Sequence, residues 1–202
     1  IGWNVGRVSS VENQAGDVTE YTYSGTNLTG IEPPFHTANT VTYGYSGGKV
    51  SSVSTGGGTW NYSYSSGSAT VTNPDSGTRT VNYNGSGLVT SQVADGQTTT
   101  FTYCTSDTAT CRDGLLKSAE TPEGQTTTYE YNSRGNVTEV STTDSAGLNA
   151  ITTSAVYPGS CSNPVTCNKP TSTTDASGEA TNYTYDTTHG GVTQVQLPAP
   201  AG

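Results

Sequence analysis

The sequence predicts an all-β protein of tandem antiparallel β-hairpins that form one long curved or spiralling β-sheet ribbon. The best-defined stretch is residues 124–140: a Thr- and Tyr-rich strand, a turn from Asn132 to Asn136, and a return strand that starts at Val137. β-Branched and aromatic side chains suit a pleated surface, and Gly135 and Asn136 can take positive φ in a tight turn. The sequence lacks the apolar periodicity of a helix, so we expect almost no helix.

A second observation is a pair of residues that recurs along the chain. The first member is an aromatic or other apolar residue, and the second is a Tyr two positions later. The last Tyr of each pair stands at position 23, 45, 64, 83, 103, 131, 157 or 185. The spacing of about 19–28 residues is typical of repeat proteins. A short Val-, Leu- or Ile-rich strand follows most of the pairs. We therefore expect a single array of about eight hairpins over residues 1–202.

The aromatic rings are the predicted core of these repeats. Residues two apart in a strand share one face of the sheet, and each aromatic ring buries a large apolar area. With 30% hydrophobic and 11% charged residues the chain could instead be disordered, but its 13 Tyr are regularly placed, which favours a folded sheet. The predicted core aromatics are Tyr21, Tyr23, Tyr43, Tyr45, Trp60, Tyr62, Tyr64, Tyr83, Phe101, Tyr103, Tyr129, Tyr131, Tyr157, Tyr183 and Tyr185.

In chain order, residues 1–34 are predicted to hold a leading return strand at Arg7–Val11 and then the first full hairpin. Pro33 and Pro34 cannot donate hydrogen bonds to a sheet and so mark a connection or an exposed edge. Short Gly-rich turns separate the next three units, which we place at residues 35–56, 57–77 and 77–96.

The fifth and seventh units carry an insertion at the hairpin turn, and each insertion holds two cysteines. Four cysteines allow three pairings, and local pairing is favoured because each pair brackets the same hairpin position. Zinc binding would need a CxxC-like spacing or nearby His, which the sequence does not offer. We predict the disulfides Cys104–Cys111 and Cys161–Cys167, which indicate an oxidising environment outside the cytoplasm.

The pattern Gly-x-x-Thr-x-Tyr-x-Tyr-(Asn/Asp)-x-x-Gly-(Asn/Gly)-(Val/Leu)-Thr-x-Val resembles the YD repeat of the Rhs family. The best copies are Gly124–Val140 and Gly178–Val195, and the second contains Tyr185-Asp186. Such repeats occur in toxin-delivery shells, wall-associated proteins and adhesion ectodomains. We find neither the Asp-Pro-x-Gly type of segment that carries self-cleavage in the family nor a toxin domain. The resemblance therefore implies the shell-forming repeat and not protease or toxin activity.

Composition and motifs argue against several other functions. The net charge is −9 and the seven Lys and Arg are scattered, so nucleic-acid binding is not expected. No apolar run is long enough for a membrane span. His36 and His189 stand alone in polar loops, and no Gly-x-Ser-x-Gly motif stands at a strand–helix turn, where it would mark a nucleophile. We expect no enzyme activity, no cofactor and no metal site.

The sequence thus favours a non-enzymatic structural protein of the extracellular space or cell surface, a shell or a self-assembling, filament-like sheet. Its predicted partners are further copies or further repeats of the same polypeptide, joined through unpaired edge strands. The alternatives are a carbohydrate-binding or adhesion module, in which Tyr and Asn/Thr surfaces contact glycans, and a shell fragment of a secreted polymorphic toxin.

Overall fold

The computed structural model describes residues 1–199, which contain 18 strands and no helix. The prediction of an all-β fold of antiparallel hairpins is confirmed. The Cα positions group into two compact units. Unit 1 is Ile1–Gly87 with Gln92–Gly96, and unit 2 is Leu88–Ser91 with Gln97–Gly202, of which the structure describes residues up to 199.

Unit 1 is an antiparallel meander in which each strand from β1 to β9 pairs with the next one in sequence. Its connections are short, as Gly-rich turns between β-strands predict. The strands are β1 (Gly2–Asn4), β2 (Arg7–Glu12), β3 (Val18–Ser24), β4 (Asn27–Glu32), β5 (Val41–Ser46), β6 (Lys49–Thr55), β7 (Gly58–Ser65), β8 (Ser68–Thr72) and β9 (Thr78–Tyr83). The residues of β10 (Val89–Ala94) are divided between the two units.

Unit 2 is also a meander, and its strands from β11 to β18 pair in sequence order. Its two longest connections are the cysteine-bearing insertions, which follow β11 and β15. The strands are β11 (Gln97–Tyr103), β12 (Leu116–Glu120), β13 (Thr126–Tyr131), β14 (Val137–Thr143), β15 (Ile151–Val156), β16 (Ser172–Thr174), β17 (Ala180–Tyr185) and β18 (Val192–Gln196).

Strand alternation gives each unit two chemically different faces. On one, the aromatic face, a tyrosine of the first strand of a hairpin lies opposite an aliphatic residue of the return strand in several hairpins. Such directly opposed aromatic and β-branched pairs each stabilise a sheet by about 0.2–1 kcal/mol. Examples are Tyr21–Ile31, Tyr43–Val53, Tyr62–Val71, Tyr129–Val140 and Tyr183–Val195.

The opposite, hydroxyl face carries Ser and Thr side chains that hydrogen-bond across neighbouring strands. The hydroxyl oxygens lie 2.8 Å apart in Ser54–Thr59 and Thr70–Thr80 of unit 1. In unit 2 the corresponding separation is 2.6 Å for Thr102–Ser118 and 3.0 Å for Ser141–Thr152. The high Ser and Thr content therefore has a structural role, because these pairs satisfy hydroxyl groups across the strands.

A β-bulge accompanies the second tyrosine of most hairpins. In β3 and β4, Thr22 lies opposite Gly30 but Tyr23 lies opposite Leu28, so Thr29 is an extra residue of the return strand. Bulges bend a strand and redirect the neighbouring side chain. The same shift in register occurs at Tyr45, Tyr103, Tyr131 and Tyr185.

The first hairpin starts earlier than predicted. We expected only a return strand at Arg7–Val11, but β1 pairs with β2 and places Trp3 opposite Val8. A register shift precedes Trp3, so Trp3 takes the place that the second tyrosine has in later hairpins. The tyrosine-based pattern missed this hairpin because the aromatic residue is Trp and no second aromatic residue precedes it.

Neither unit has an enclosed hydrophobic core among the described residues. The buried hydrophobic side chains are Tyr131, Cys104 and Cys167, and all three belong to unit 2. Most strand residues are half-buried on one face. Contacts between neighbouring strands, rather than burial in a second layer, therefore hold each unit together.

Candidate functional site

The most strongly recurring contact is a hydrogen bond from the second tyrosine of a hairpin to the strand or segment before it. The hydroxyl donates to a backbone carbonyl near the start of the preceding return strand, a group that a hairpin turn would otherwise leave to water. The donor–acceptor pairs are Tyr23–Val8 (3.0 Å), Tyr45–Leu28 (2.8 Å), Tyr103–Val89 (2.9 Å), Tyr131–Leu116 (2.6 Å) and Tyr185–Pro170 (2.8 Å). We call these contacts the tyrosine locks.

The bulges explain which tyrosines form locks. All five lock tyrosines follow a register shift, whereas Tyr64 pairs with Ala69 in regular register. Without the bulge, Tyr64 is 42% exposed, and no lock is found for its hydroxyl in the described chain. Tyr64 thus lies at the surface and not in a core, because the register of its hairpin does not turn the ring toward the preceding strand.

The other predicted core aromatics are placed as follows. Tyr131 is the most buried of them, with 7% of its surface exposed. The remaining ones are half-buried: Tyr21, Tyr23, Tyr43, Tyr45, Trp60, Tyr62, Tyr83, Phe101, Tyr103, Tyr129, Tyr157, Tyr183 and Tyr185. These rings therefore form a half-covered face of the sheet. That this face is the core of the repeats stays a proposal.

Three of the second tyrosines also lie beneath a cation. Arg7, Lys49 and Lys169 are 5.8, 4.9 and 5.4 Å from the ring centroids of Tyr23, Tyr64 and Tyr185. Arg7 and Lys169 directly precede the residue that accepts the tyrosine lock. Cation–π contacts at exposed positions contribute about 0.5–1 kcal/mol each. The contacts of Arg7 and Lys169 therefore reinforce the tyrosine locks of Tyr23 and Tyr185.

Asn and Asp side chains shape the turns. After Tyr131, the Asn132 Oδ1 accepts the N–H groups of Arg134 (2.9 Å) and Asn136 (3.1 Å). After Tyr185, the Asp186 Oδ1 accepts the N–H groups of Thr188 (2.7 Å) and His189 (3.0 Å). The acidic or amide residue of the repeat pattern is therefore an Asx turn, and the Asp186–backbone bonds hold the pKa of this carboxyl below its ordinary value.

The first cysteine loop reaches the next hairpin. Cys104 and Cys111 form a disulfide with a Cα–Cα distance of 5.7 Å. Within this loop, the carbonyl oxygen of Thr110 accepts the N–H of Tyr131 at 2.9 Å. Cys104 is only 3% exposed. The loop is thus not a free hairpin tip, since it covers the lock tyrosine of the following hairpin.

The second cysteine loop contacts the hairpins on both of its sides. The disulfide Cys161–Cys167 has a Cα–Cα distance of 4.8 Å. Toward the preceding hairpin, the Arg134 guanidinium donates to the carbonyl oxygens of Pro158 (2.6 Å) and Cys167 (3.0 Å). Toward the following hairpin, the Asn163 amide donates to the Thr187 carbonyl oxygen at 2.8 Å. This loop therefore joins three consecutive hairpins of unit 2.

Replacing Arg134 with lysine should lower the free energy of unfolding of unit 2 by about 1–3 kcal/mol. The guanidinium binds three oxygens, those of Pro158 and Cys167 and the Asn168 Oδ1, and a lysine ammonium cannot reproduce that fork. Denaturant unfolding measures the change. Arg79→Lys is the matched control, because Arg79 is exposed and its guanidinium donates to the Gln92 side chain; we expect less than about 0.5 kcal/mol there. Equal effects would contradict the role of Arg134.

Burial raises the pKa of Tyr131, and the neighbouring Tyr129 raises it further. Burial likewise raises the pKa of Tyr185, with additional contributions from Tyr183 and Tyr157. The folded chain thus binds these protons more tightly than the unfolded chain, whose tyrosines titrate near pH 10. The stabilisation is fully present below pH 10 and is lost as the pH rises through the folded pKa.

We therefore expect the unfolding midpoint of unit 2 to fall steeply as the pH rises from about 10 toward 12. Tyr131→Phe removes the most buried of these phenols, so its midpoint should fall less over the same range. Thermal unfolding at constant ionic strength measures the effect, and mass spectrometry confirms that the disulfides stay intact. An identical pH dependence in both proteins would contradict the assignment.

No metal-binding cluster is found in the part of the chain that the structure describes. Groups of three or more His, Cys, Asp or Glu side chains able to hold a metal ion do not occur there. His36 and His189 lie far from each other in sequence and in separate polar loops, where His36 contacts the Pro34 carbonyl oxygen and His189 lies 3.5 Å from the Asp186 carboxylate. None of the described residues forms a helix long and apolar enough to cross a membrane.

Comparisons with known proteins agree with this geometry. A family model described as RHS Repeat matches residues 112–147, which include the hairpin at 124–140. A comparison with curated proteins finds no match. Among solved structures, the chain is similar to the Tc holotoxin pore of Photorhabdus luminescens with a TccC3 mutation, at a TM-score of 0.58 and 19% identity over 97% of this chain.

A TcdB2-TccC3 structure without its hypervariable C-terminal region is also similar, with a TM-score of 0.59 and 19% identity over 97% of this chain. The chain spans only 12% of the length of each of these two structures. Similarity at this level of identity concerns the fold. Residues 112–147 therefore match the Rhs repeat model, and the hairpin fold of the chain is similar to part of the TcdB2-TccC3 structures.

Proposed function

We propose that the chain is a non-enzymatic wall segment of an Rhs-type shell, which acts outside the cell and joins further repeats through its edge strands. The single observation that carries this proposal is the series of five tyrosine locks, each of which ties a hairpin to the strand or segment before it. Locks of this kind can hold successive hairpins together in a single sheet, without a second layer of structure packed against it. A shell wall that is one sheet thick requires this property.

The last strand of unit 2 supports association through strands. Within unit 2, β18 pairs with β17 alone, so a strand that binds the backbone N–H and C=O groups on its other side comes from outside this unit. Val192 and Val195 on this strand are exposed. The partner strand comes either from another copy, which would build a filament, or from further repeats of a longer polypeptide, as in a toxin shell.

The two disulfides support an extracellular setting. Disulfides persist in oxidising compartments and are rare in the cytosol. Both lie in loops that cover hairpin turns, where they protect contacts between neighbouring hairpins. The acidic charge of −9 fits a wall that repels nucleic acid and other anionic surfaces.

Val195→Lys tests association through the edge. A lysine on an edge strand opposes pairing with another strand, so this variant should associate at least tenfold more weakly than the unaltered chain. Val156→Lys is the matched control, because Val156 is 57% exposed, similar to the 50% of Val195, but lies in β15, which has partners on both sides. Light scattering over a concentration series measures both. Equal association of the two variants would argue against the edge.

A further inference from the structure

The aromatic face of unit 2 contains a groove of about 340 Å3 between β14, β15 and β16. It is centred on Ala155, and strand alternation places the side chains of its walls on the same face as the tyrosine rings. These wall residues are Val137, Val140, Thr153, Thr173 and, at one end, Asp175.

The groove exists because the hairpin of β15 and β16 lacks the aromatic–aliphatic pair that the two flanking hairpins have. In the flanking hairpins, this position is occupied by Tyr129 opposite Val140 and by Tyr183 opposite Val195. In the hairpin of β15 and β16 it is occupied by Ala155 opposite Thr173. This face therefore lacks one aromatic ring and one branched aliphatic side chain, and their absence leaves the groove.

The chemistry of the walls favours an apolar occupant with a cationic neighbour. The Thr173 hydroxyl is already paired with the Tyr183 hydroxyl at 3.2 Å, so this wall needs no polar partner. At the end of the groove, the Asp175 Oδ1 accepts the N–H groups of Ser177 and Glu179, both at 2.9 Å. These bonds fix the carboxylate and leave its second oxygen for a cation from a partner.

We propose that this groove binds an aromatic side chain of a partner polypeptide, with a Lys or Arg next to it that pairs with Asp175. The ring would restore the stacking against Val140 that Tyr129 has on the neighbouring strand, and buried aromatic anchors of this kind dominate binding energies at protein interfaces. The cation complements both Asp175 and the acidic chain. This site lies three strands from the edge strand β18, so its function does not depend on edge pairing.

The test uses the full chain and the peptide acetyl-Lys-(5-fluoro-Trp)-Lys-amide, followed by 19F NMR. We expect saturable binding with a dissociation constant on the order of 1 mM, the range of small ligands in shallow sites. Ala155→Tyr fills the groove and should weaken binding at least tenfold. Val156→Tyr, which adds the same ring on the opposite face of β15 at a residue that does not line the groove, is the matched control and should bind like the unaltered chain. Asp175→Asn should bind at least threefold more weakly.

Several results would overturn the proposal. One is equal affinity of the Ala155→Tyr and Val156→Tyr variants for the Lys peptide. Another is equal binding of the acetyl-Glu-(5-fluoro-Trp)-Glu-amide peptide by the unaltered chain. A further result against the proposal is that the chain binds cellohexaose but not the Lys peptide, and that Ala155→Tyr abolishes the cellohexaose binding. The groove would then be a glycan-binding site. If Ala155→Tyr fails to fold, Thr173→Ile narrows the groove from the other wall and should weaken the Lys peptide at least threefold; an unchanged affinity would contradict the proposal.

Discussion

Replacing Tyr131 with alanine is expected to lower the free energy of unfolding of unit 2 by about 3–5 kcal/mol, the range of large aromatic truncations. Tyr131 is the one aromatic ring that is buried in the described chain. Its hydroxyl donates to the Leu116 carbonyl oxygen, and its N–H donates to the Thr110 carbonyl oxygen of the first cysteine loop. Denaturant unfolding followed by fluorescence or circular dichroism measures the loss.

Two further variants separate the ring from the hydroxyl. Tyr131→Phe keeps the ring and removes only the tyrosine lock, so it should cost about 0.5–1.5 kcal/mol. Tyr64→Phe is its matched control, since Tyr64 is 42% exposed and has no such lock, and it should cost about 0–0.5 kcal/mol. If Tyr64→Phe is as destabilising as Tyr131→Phe, the tyrosine locks are not what holds neighbouring hairpins together.

Removal of the first disulfide, by replacing Cys104 and Cys111 with serine, should destabilise unit 2 by about 2–3 kcal/mol. The loop-closure entropy of a loop this short gives that magnitude. The local effect should be visible at Tyr131, whose N–H bonds the Thr110 carbonyl oxygen inside the loop. We expect hydrogen exchange of the Tyr131 amide to accelerate at least tenfold, which corresponds to about 1.4 kcal/mol.

The second disulfide supplies the control for this experiment. Replacing Cys161 and Cys167 with serine should release the contacts of Arg134 and Asn163 and leave the Tyr131 amide protected, because Thr110 belongs to the other loop. An unchanged Tyr131 amide after loss of Cys104–Cys111 would show that the first loop is a free tip. That result would contradict the role that we assign to it.

The sequence predicted the hairpins well because their signals are local. Alternating Thr and Tyr, an Asn or Asp turn and a Val-rich return strand lie within 124–140, and each requires only neighbouring residues to be satisfied. The cysteine pairings were also accessible, since each pair brackets one turn. The first hairpin was missed because Trp3 stands where the pattern requires Tyr.

The tyrosine locks and the contacts of Arg134 could not be predicted in the same way. A tyrosine lock depends on a bulge, and the bulge residue, such as Thr29 or Thr138, looks like any other strand residue. Arg134 contacts residues more than twenty positions away, and nothing in its local sequence distinguishes it from a solvated turn residue. A signal did exist for the groove, because Ala155 is a small residue at a position where the two flanking repeats have Tyr129 and Tyr183.

Sedimentation of the unaltered 202-residue chain tests the central claim most directly. A wall segment needs strands from a neighbour at its edges, so analytical ultracentrifugation at micromolar concentration should show species larger than the 20.8-kDa chain, whose proportion grows with concentration. The Val195→Lys variant should shift this distribution toward the monomer. A stable, folded and monodisperse monomer over the whole concentration range would contradict the claim.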